Sequence, residues 1–212
     1  VQFDRETNVL EPLTAVTPQL LSELDHRIEA VSVEGNFTDL ESGAAKALEL
    51  LGAEKNGADQ RCVVLLSDGK MDPPPSAGTR EEVTKRMEDV DFAQYRERGI
   101  RLYTLALSDE ADKELLAKMA ELTGGLHWFA KDPDQVHKVF SDLFLSLKKP
   151  QVVSIQGSQF DVDSSVTEAT FFISRQEPTQ TVTLVDPQGK SFDNNNYPTG
   201  VKWFRGDLFD VI

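Results

Sequence analysis

The chain has 212 residues, 39% of them hydrophobic and 27% charged, the size and mix of one large soluble domain or of an ordinary domain plus a small one. With 22 Lys and Arg against 36 Asp and Glu, and a net charge of −14, no cationic surplus exists to neutralise phosphates, which argues against nucleic acid and against anionic membrane surfaces as partners. No apolar run reaches the roughly 18–20 residues of a membrane span; Val1-Gln-Phe-Asp4 is no signal peptide, and a single cysteine, Cys62, excludes an internal disulfide and a zinc cluster.

Val1–Phe3 has the composition of a strand end, followed by a turn through Asp4–Asn8 and a short extended segment, Val9–Val16. Thr17-Pro18 predicts a helix start, hydroxyl cap then proline, and Leu20, Leu21, Leu24, Ile28 and Val31 share one face of that helix. A second helix is predicted over Leu40–Leu51, with Leu40, Ala44, Leu48 and Leu51 as its buried stripe and Gly52 as its stop. The apolar run Cys62–Leu66 predicts a buried strand, which also makes Cys62 a buried, inert thiol. After the Pro73-Pro74-Pro75 loop come a charged helix through Glu81–Arg98, a strand at Ile100–Leu107, a helix at Asp112–Thr123 ended by Gly124-Gly125, and a short strand at Leu126–Ala130. Asp132-Pro133 opens a last helix with Val136, Val139, Phe140, Leu143, Phe144 and Leu147 along its apolar side. Near-continuous apolar strands alternating with helices predict an α/β domain, a doubly wound, mostly parallel sheet, over residues 1–149.

The pattern changes after Lys148-Lys149-Pro150. Val152–Ile155, Thr170–Ile173, the alternation Thr181–Val185 and Val201–Phe204 predict strands, with Asp186-Pro-Gln-Gly189 as a strong turn and Asp193–Asn196 as a polar loop. Residues 150–212 are therefore expected to form a second, smaller all-β, sandwich-like module, too short for a complete sandwich. Together with the Val at position 1, this reads as a piece cut at both ends.

Two residues carry candidate chemistry. Thr38, in Gly35-Asn-Phe-Thr38-Asp-Leu40, places a hydroxyl on a loop entering a helix; Asp68, in Val63-Val-Leu-Leu-Ser-Asp68-Gly69, places a carboxylate at the carboxyl end of a strand. Open α/β sheets bind ligands at that edge, and hydroxyl and carboxylate oxygens are the natural protein donors to a hard cation such as Mg²⁺, which wants six oxygens and keeps several waters. The plainer alternatives are a helix cap for Thr38 and a strand-to-turn residue for Asp68. Asp39 and Ser67 are neighbours able to orient ligands or water. The histidines His26, His127 and His137 fall on separate elements without ligand spacing, Ser164-Ser165 within Asp161–Ser165 reads as a turn, and Arg205-Gly206-Asp207 is a tripeptide too short to carry meaning.

Residues 1–149 resemble a von Willebrand factor A (VWA) domain. The resemblance rests on five pieces in order: Val1-Gln-Phe-Asp4, Gly35–Leu40, Val63–Gly69, Ile100-Arg-Leu-Tyr-Thr-Leu105, and Leu115–Gly125 with its Ala120-Glu-Leu-Thr-Gly-Gly ending. The β-rich tail resembles, more loosely, the sandwich that follows this unit in many extracytoplasmic bacterial proteins. The resemblance implies that Thr38 and Asp68 are two of five side chains of a metal-ion-dependent adhesion site, binding Mg²⁺ (or Mn²⁺ or Ca²⁺) whose open position accepts a carboxylate from a partner protein. The other three belong to an Asp-x-Ser-x-Ser motif on the family's first strand, which these residues do not contain. Weak metal affinity is expected as a result. That first strand would lie between Val1–Phe3 and the strand at 62–66, so the resemblance also implies instability or self-association unless another segment takes its place.

The expected function is thus a cation-dependent protein-binding, adhesion-type module of a larger secreted or envelope protein, with an acidic group on its partner, no nucleic acid, no membrane contact by this segment, and no catalytic residue. One alternative is a structural VWA scaffold with a non-functional metal site. The other is a Mg²⁺-dependent hydrolase using Asp68, although no glycine-rich phosphate loop, Ser-His-Asp set or second carboxylate cluster is visible.

Overall fold

The computed structural model describes residues 1–31, 35–53, 60–148, 160–206 and 208–212. The expected strand Val152–Ile155, the Lys149-Pro150 junction and Asp207 lie outside the described residues. Contacts divide the chain into two compact units, Val1–Asp132 and Pro133–Ile212.

In the first unit, β1 (Gln2–Phe3) and β2 (Thr7–Asn8) form an antiparallel hairpin. Its turn is closed by the Asp4 carboxylate, which accepts from the Glu6 backbone N–H at 2.8 Å, the local bond that makes Asp a turn residue. Val9–Val16 forms no strand: Pro12 brings no N–H to a ladder, and Leu13 and Val16 stay exposed. Helix α1 (Pro18–Glu29) starts where its signals lie, the Thr17 hydroxyl accepting from Leu20 N–H at 3.1 Å. Leu21 and Ile28 on its expected buried face are nevertheless 53% and 64% exposed. An amphipathic stripe is buried only where another element faces it.

Helix α2 (Leu40–Ala53) buries Leu40, Ala44 and Leu48 at four-residue spacing, and it runs through Gly52 instead of stopping there. A glycine in a helix costs about 1 kcal/mol relative to alanine, less than continuing the stripe through Leu51, which packs on the core. β3 (Cys62–Ser67) follows. The helix expected over 81–98 is three pieces on one run: α3 (Arg80–Arg86), a π-helical turn at Met87–Asp91, and α4 (Phe92–Glu97). Thr79 and Glu82 form a reciprocal capping box at its start, which satisfies two of the helix's orphan donors. β4 (Arg101–Ala106), α5 (Lys113–Thr123) and β5 (His127–Phe129) complete the unit. Gly124 ends α5 in the left-handed region at φ +74, and a Cβ on Gly125 would sit 2.1 Å from the Leu102 carbonyl, so only glycine lets the chain pass this close to β4.

The strands pair in the order β3-β4-β5, all parallel. Register places Val63, Leu65, Leu102, Thr104, Ala106 and Phe129 on one face, since side chains alternate along a strand. There they join Leu40, Val83, Met87, Phe92, Leu116 and Met119 from the helices in one apolar core, where each fully buried large side chain contributes roughly 1.5–3 kcal/mol. Tyr103 and Trp128 stack on the opposite face, with ring centroids 6.0 Å apart. This is an α/β unit on a parallel sheet.

The second unit begins with α6 (Pro133–Lys148), which buries Val139 and Leu143. The strands β6 (Phe172–Ser174), β9 (Phe204–Arg205) and β10 (Phe209–Val211) form an antiparallel sheet in the order β6-β10-β9. β7 (Leu184–Val185) and β8 (Ser191–Phe192) make a hairpin. The predicted turn closes it: Gly189 N–H donates to Asp186 C=O at 2.9 Å and Lys190 N–H to the Asp186 carboxylate at 2.8 Å. Aromatic contacts join helix to strands, His137 with Phe209 at 3.9 Å and Phe144 with Phe172 at 5.7 Å between ring centroids.

Candidate functional site

The carboxyl edge of the parallel sheet is built from the loops leaving β3 and β4 and from the loop entering α2. Thr38 exchanges both backbone hydrogen bonds with Asp72, Thr38 N–H to Asp72 C=O at 2.9 Å and Asp72 N–H to Thr38 C=O at 3.1 Å. This pins the loop before α2 against the loop after β3. The Thr38 hydroxyl consequently lies beside Gly69, where a Cβ would come within 3.1 Å of Oγ1. Thr38 and the residue that follows Asp68 are therefore neighbours in space. In a pair exchanging both bonds the two side chains stand on the same face, so the Asp72 carboxylate projects on the same side as the Thr38 hydroxyl.

The plainer reading of Thr38 as a helix cap can be examined directly. Asp39, buried, makes that cap: its carboxylate accepts from Ser42 N–H at 3.1 Å. The first-turn donor is thus satisfied by the next residue, and the Thr38 hydroxyl is left for another role. Ser67 is buried and donates to Gly69 C=O at 3.3 Å, fixing the turn on which Asp68 sits. The Asp68 side chain is exposed, and its backbone carbonyl accepts from the Ser108 hydroxyl on the loop after β4.

Most other carboxylates at this edge are engaged. Asp109 bonds Lys113 at 2.8 Å and Lys131 at 2.5 Å, and these two ammonium groups pull its carboxyl down to about 2. Asp112 caps α5 through Leu115 N–H and pairs with Arg80 at 2.5 Å. Among the described residues, no ion pair or side-chain hydrogen bond engages the carboxylate of Asp68. Sequence reasoning missed Ser108 and Asp72. A signal for the first existed: Ser67-Asp68 ends one strand and Ser108-Asp109 follows the end of its neighbour, so the same pair recurs along one edge.

The remaining sequence candidates lie apart. His26 is exposed on α1 and His137 packs on Phe209. His127 Nδ1 is 2.9 Å from the Thr104 hydroxyl, and burial lowers its basicity. Ser164-Ser165 is a turn, Ser165 N–H donating to the Asp163 carboxylate at 2.7 Å. Cys62 is half-buried rather than buried, its thiol pushed up by desolvation; among the described residues its strand pairs on one side only. Among the described residues, no group of three or more His, Cys, Asp or Glu side chains is placed to hold a metal ion, and no helix is long and apolar enough to cross a membrane.

An oxygen-only pair of a hydroxyl and a free carboxylate at a sheet's carboxyl edge fits a hard cation that retains water, and it does not fit a soft metal. None of the curated proteins matches this chain. Among solved structures, it is similar to an uncharacterized membrane spanning protein from Vibrio fischeri, at 18% identity over 59% of this chain and 65% of that one, with a TM-score of 0.29. A superposition that poor carries no weight for the fold. The family model for the von Willebrand factor type A domain matches residues 1–144, and the chain belongs to that family.

Proposed function

We propose that this chain is a cation-dependent protein-binding module in which Thr38 and Asp68 supply oxygen ligands and the cation bridges to a carboxylate on a partner protein. Domains of this family are commonly protein-interaction modules and generally not enzymes; the metal dependence, the acidic partner and the placement in a secreted or envelope protein are the added reading. The observation that carries it is the 3.1 Å approach of the Thr38 hydroxyl to the Cβ position of Gly69, with Asp39 rather than Thr38 capping α2. When bound, Mg²⁺, Mn²⁺ or Ca²⁺ would supply positive charge for a partner's carboxylate. The chain's own part is to hold two oxygens at one edge: the Thr38–Asp72 pairing orients the hydroxyl, and Ser67 and Ser108 fix the turn that carries Asp68. We also read the sheet as doubly wound and the strands after residue 150 as a sandwich-like module, on the order of elements in the sequence.

Two side-chain ligands hold such ions weakly. Mn²⁺ binding to the 212-residue chain, followed by water-proton relaxation, is expected to be weak, and Asp68→Ala and Thr38→Ala are each expected to reduce it further while circular dichroism is unchanged. Binding that both variants leave intact would overturn the assignment and favour a structural scaffold. The scaffold reading has its own support in the lack of any three-carboxylate or histidine group among the described residues.

A further inference from the structure

The segment entering α2 is tied twice to the loop after β3. The first tie is the Thr38–Asp72 backbone pair. The second is Arg86, the last residue of α3. Its Nε and Nη2 donate to the two carboxylate oxygens of Glu41, in the first turn of α2, at 2.5 Å each. Nη2 also donates to the Ala77 carbonyl at 3.2 Å, and Ala77 N–H closes a turn on Pro74 C=O at 2.8 Å. Thr38–Glu41 is one short stretch of chain and Asp72–Ala77 another. The backbone pair at one end and the guanidinium at the other therefore close a ring between them, and the Thr38 hydroxyl beside Gly69 lies on that ring.

Arg86 serves this ring although a nearer need exists on its own helical run. Asp91, five residues on, lies within electrostatic reach of the same guanidinium, yet its Oδ2 is buried with no hydrogen-bond partner. Pairing with Asp91 would satisfy that oxygen; the fork goes to Glu41 instead. Global stability does not account for the choice. The Arg86 and Glu41 side chains are 44% and 15% exposed, and pairs this open to water add little to a fold. What a guanidinium adds is direction: donors in a rigid plane meet a carboxylate and a carbonyl at once, which fixes the first turn of α2 against the loop. We propose that Arg86 is the positioning residue of the candidate cation site, holding the Thr38 loop against the turn that carries Asp68 through Glu41 and Ala77. This rests on Thr38 and Asp68 as the cation's ligands, and it adds to them a residue that acts only through others.

The test reads the loop and the ion separately, on the 212-residue chain. Arg86→Met keeps the aliphatic stem and removes the fork. Hydrogen exchange of the Thr38 and Asp72 amides, both bonded in the backbone pair, should speed about tenfold, as local opening does when a bidentate pair is lost. The Leu102 and Thr104 amides of β4, bonded to Thr123 and Leu126, should keep their wild-type rates. Glu41→Gln should act in the same direction, and adding it to Arg86→Met should change nothing further. Arg86→Lys, a point charge without the fork, should restore only part of the protection. Mn²⁺ affinity, followed by water-proton relaxation, should fall in Arg86→Met about as far as in Thr38→Ala. Unchanged exchange at Thr38 and Asp72 would overturn the proposal. Exchange that speeds equally at Leu102 and Thr104 would overturn it too, by making Arg86 a general prop of the fold. Faster loop exchange with wild-type Mn²⁺ affinity would overturn the positioning role while leaving the cation reading intact. A wild-type chain that takes up no Mn²⁺ would overturn the cation reading and this role with it, and the exchange rates would still tell whether the guanidinium holds the loop.

Discussion

The two units hold themselves together by different means. Of the 22 buried hydrophobic side chains among the described residues, twenty lie in Val1–Asp132; the unit from Pro133 onward buries only Val139 and Leu143. In their place it buries a charge pair. Arg175 Nε stands 2.7 Å from Asp210 Oδ2, with the side chains 3% and 0% exposed. The approach is an ion contact rather than an aligned hydrogen bond, since neither atom has a hydrogen-bond partner of good geometry. Around it, Trp203 Nε1 donates to Asp210 Oδ1 at 2.8 Å, and the Arg175 guanidinium donates to the carbonyls of Pro178 and Gly206. One unit is a close-packed apolar core in which stability is spread over many side chains. The other is a polar pin through short strands, where one missing partner leaves a buried charge.

The largest expected effect follows from that contrast. Asp210→Ala should destabilise the second unit by about 3–5 kcal/mol, because it leaves the Arg175 guanidinium buried without a counter-charge. The two tryptophans give each unit a reporter, Trp128 on β5 and Trp203 beside Asp210. Urea unfolding of Asp210→Ala in a Trp128→Phe background should show the Trp203 transition lost or moved to low denaturant. A Trp203 midpoint unchanged by Asp210→Ala would break the comparison. Leu116→Ala is the matching test in the first unit. Leu116 is fully buried in the core, so the cavity should cost about 3 kcal/mol, read by Trp128 fluorescence with Trp203→Phe. If each substitution, made in both single-tryptophan backgrounds, moves the Trp128 and Trp203 transitions together, the units unfold as one and the contrast describes composition only.

The sequence was legible where one physical signal dominated. The β3 and β4 runs, the stripe Leu40-Ala44-Leu48, the Thr17 cap and the Asp186–Gly189 turn each rest on burial or on a single local bond, and the structure has all of them. Where two signals competed, the stronger physical term decided. Gly52 lost to a continuing apolar stripe, and Pro12 keeps the segment Val9–Val16 from joining a ladder. The Arg175–Asp210 pair was invisible because the residues lie 35 apart with no shared pattern, and only the β6–β10 pairing brings them together. At the candidate site, what was readable was position: Thr38 on the loop entering α2 and Asp68 just after the end of β3. Ser108 left a signal only in the recurrence of Ser-Asp at two neighbouring strand ends, and Asp72 left none, since its contribution comes from pairing between loops that no periodicity encodes.

The smallest expected effect concerns a weak point of the apolar unit. Asp91 ends the π-helical turn between α3 and α4, and its Oδ2 is buried without a hydrogen-bond partner. Desolvation, and then repulsion from Glu41, raises its carboxyl from 3.8 to about 6, with Arg86 only partly offsetting them. A raised carboxyl favours the protonated form in the folded state, so its stabilising contribution is complete below 3.8, where both states are protonated, and is lost as pH climbs through about 6. Between those limits the folded state binds the proton that the unfolded chain has released, and stability falls with rising pH. Because Asp91 is only about half-buried, solvent screens the effect, and the penalty at pH 7 is about 1 kcal/mol rather than the full shift converted. Asp91→Asn should therefore raise the melting temperature of the first unit at pH 7 by a few degrees, and the gain over wild type should shrink steadily toward pH 4. A gain that is independent of pH would mean that the substitution acts through packing of the π-helical turn, and that the apolar unit stores no electrostatic cost at Asp91.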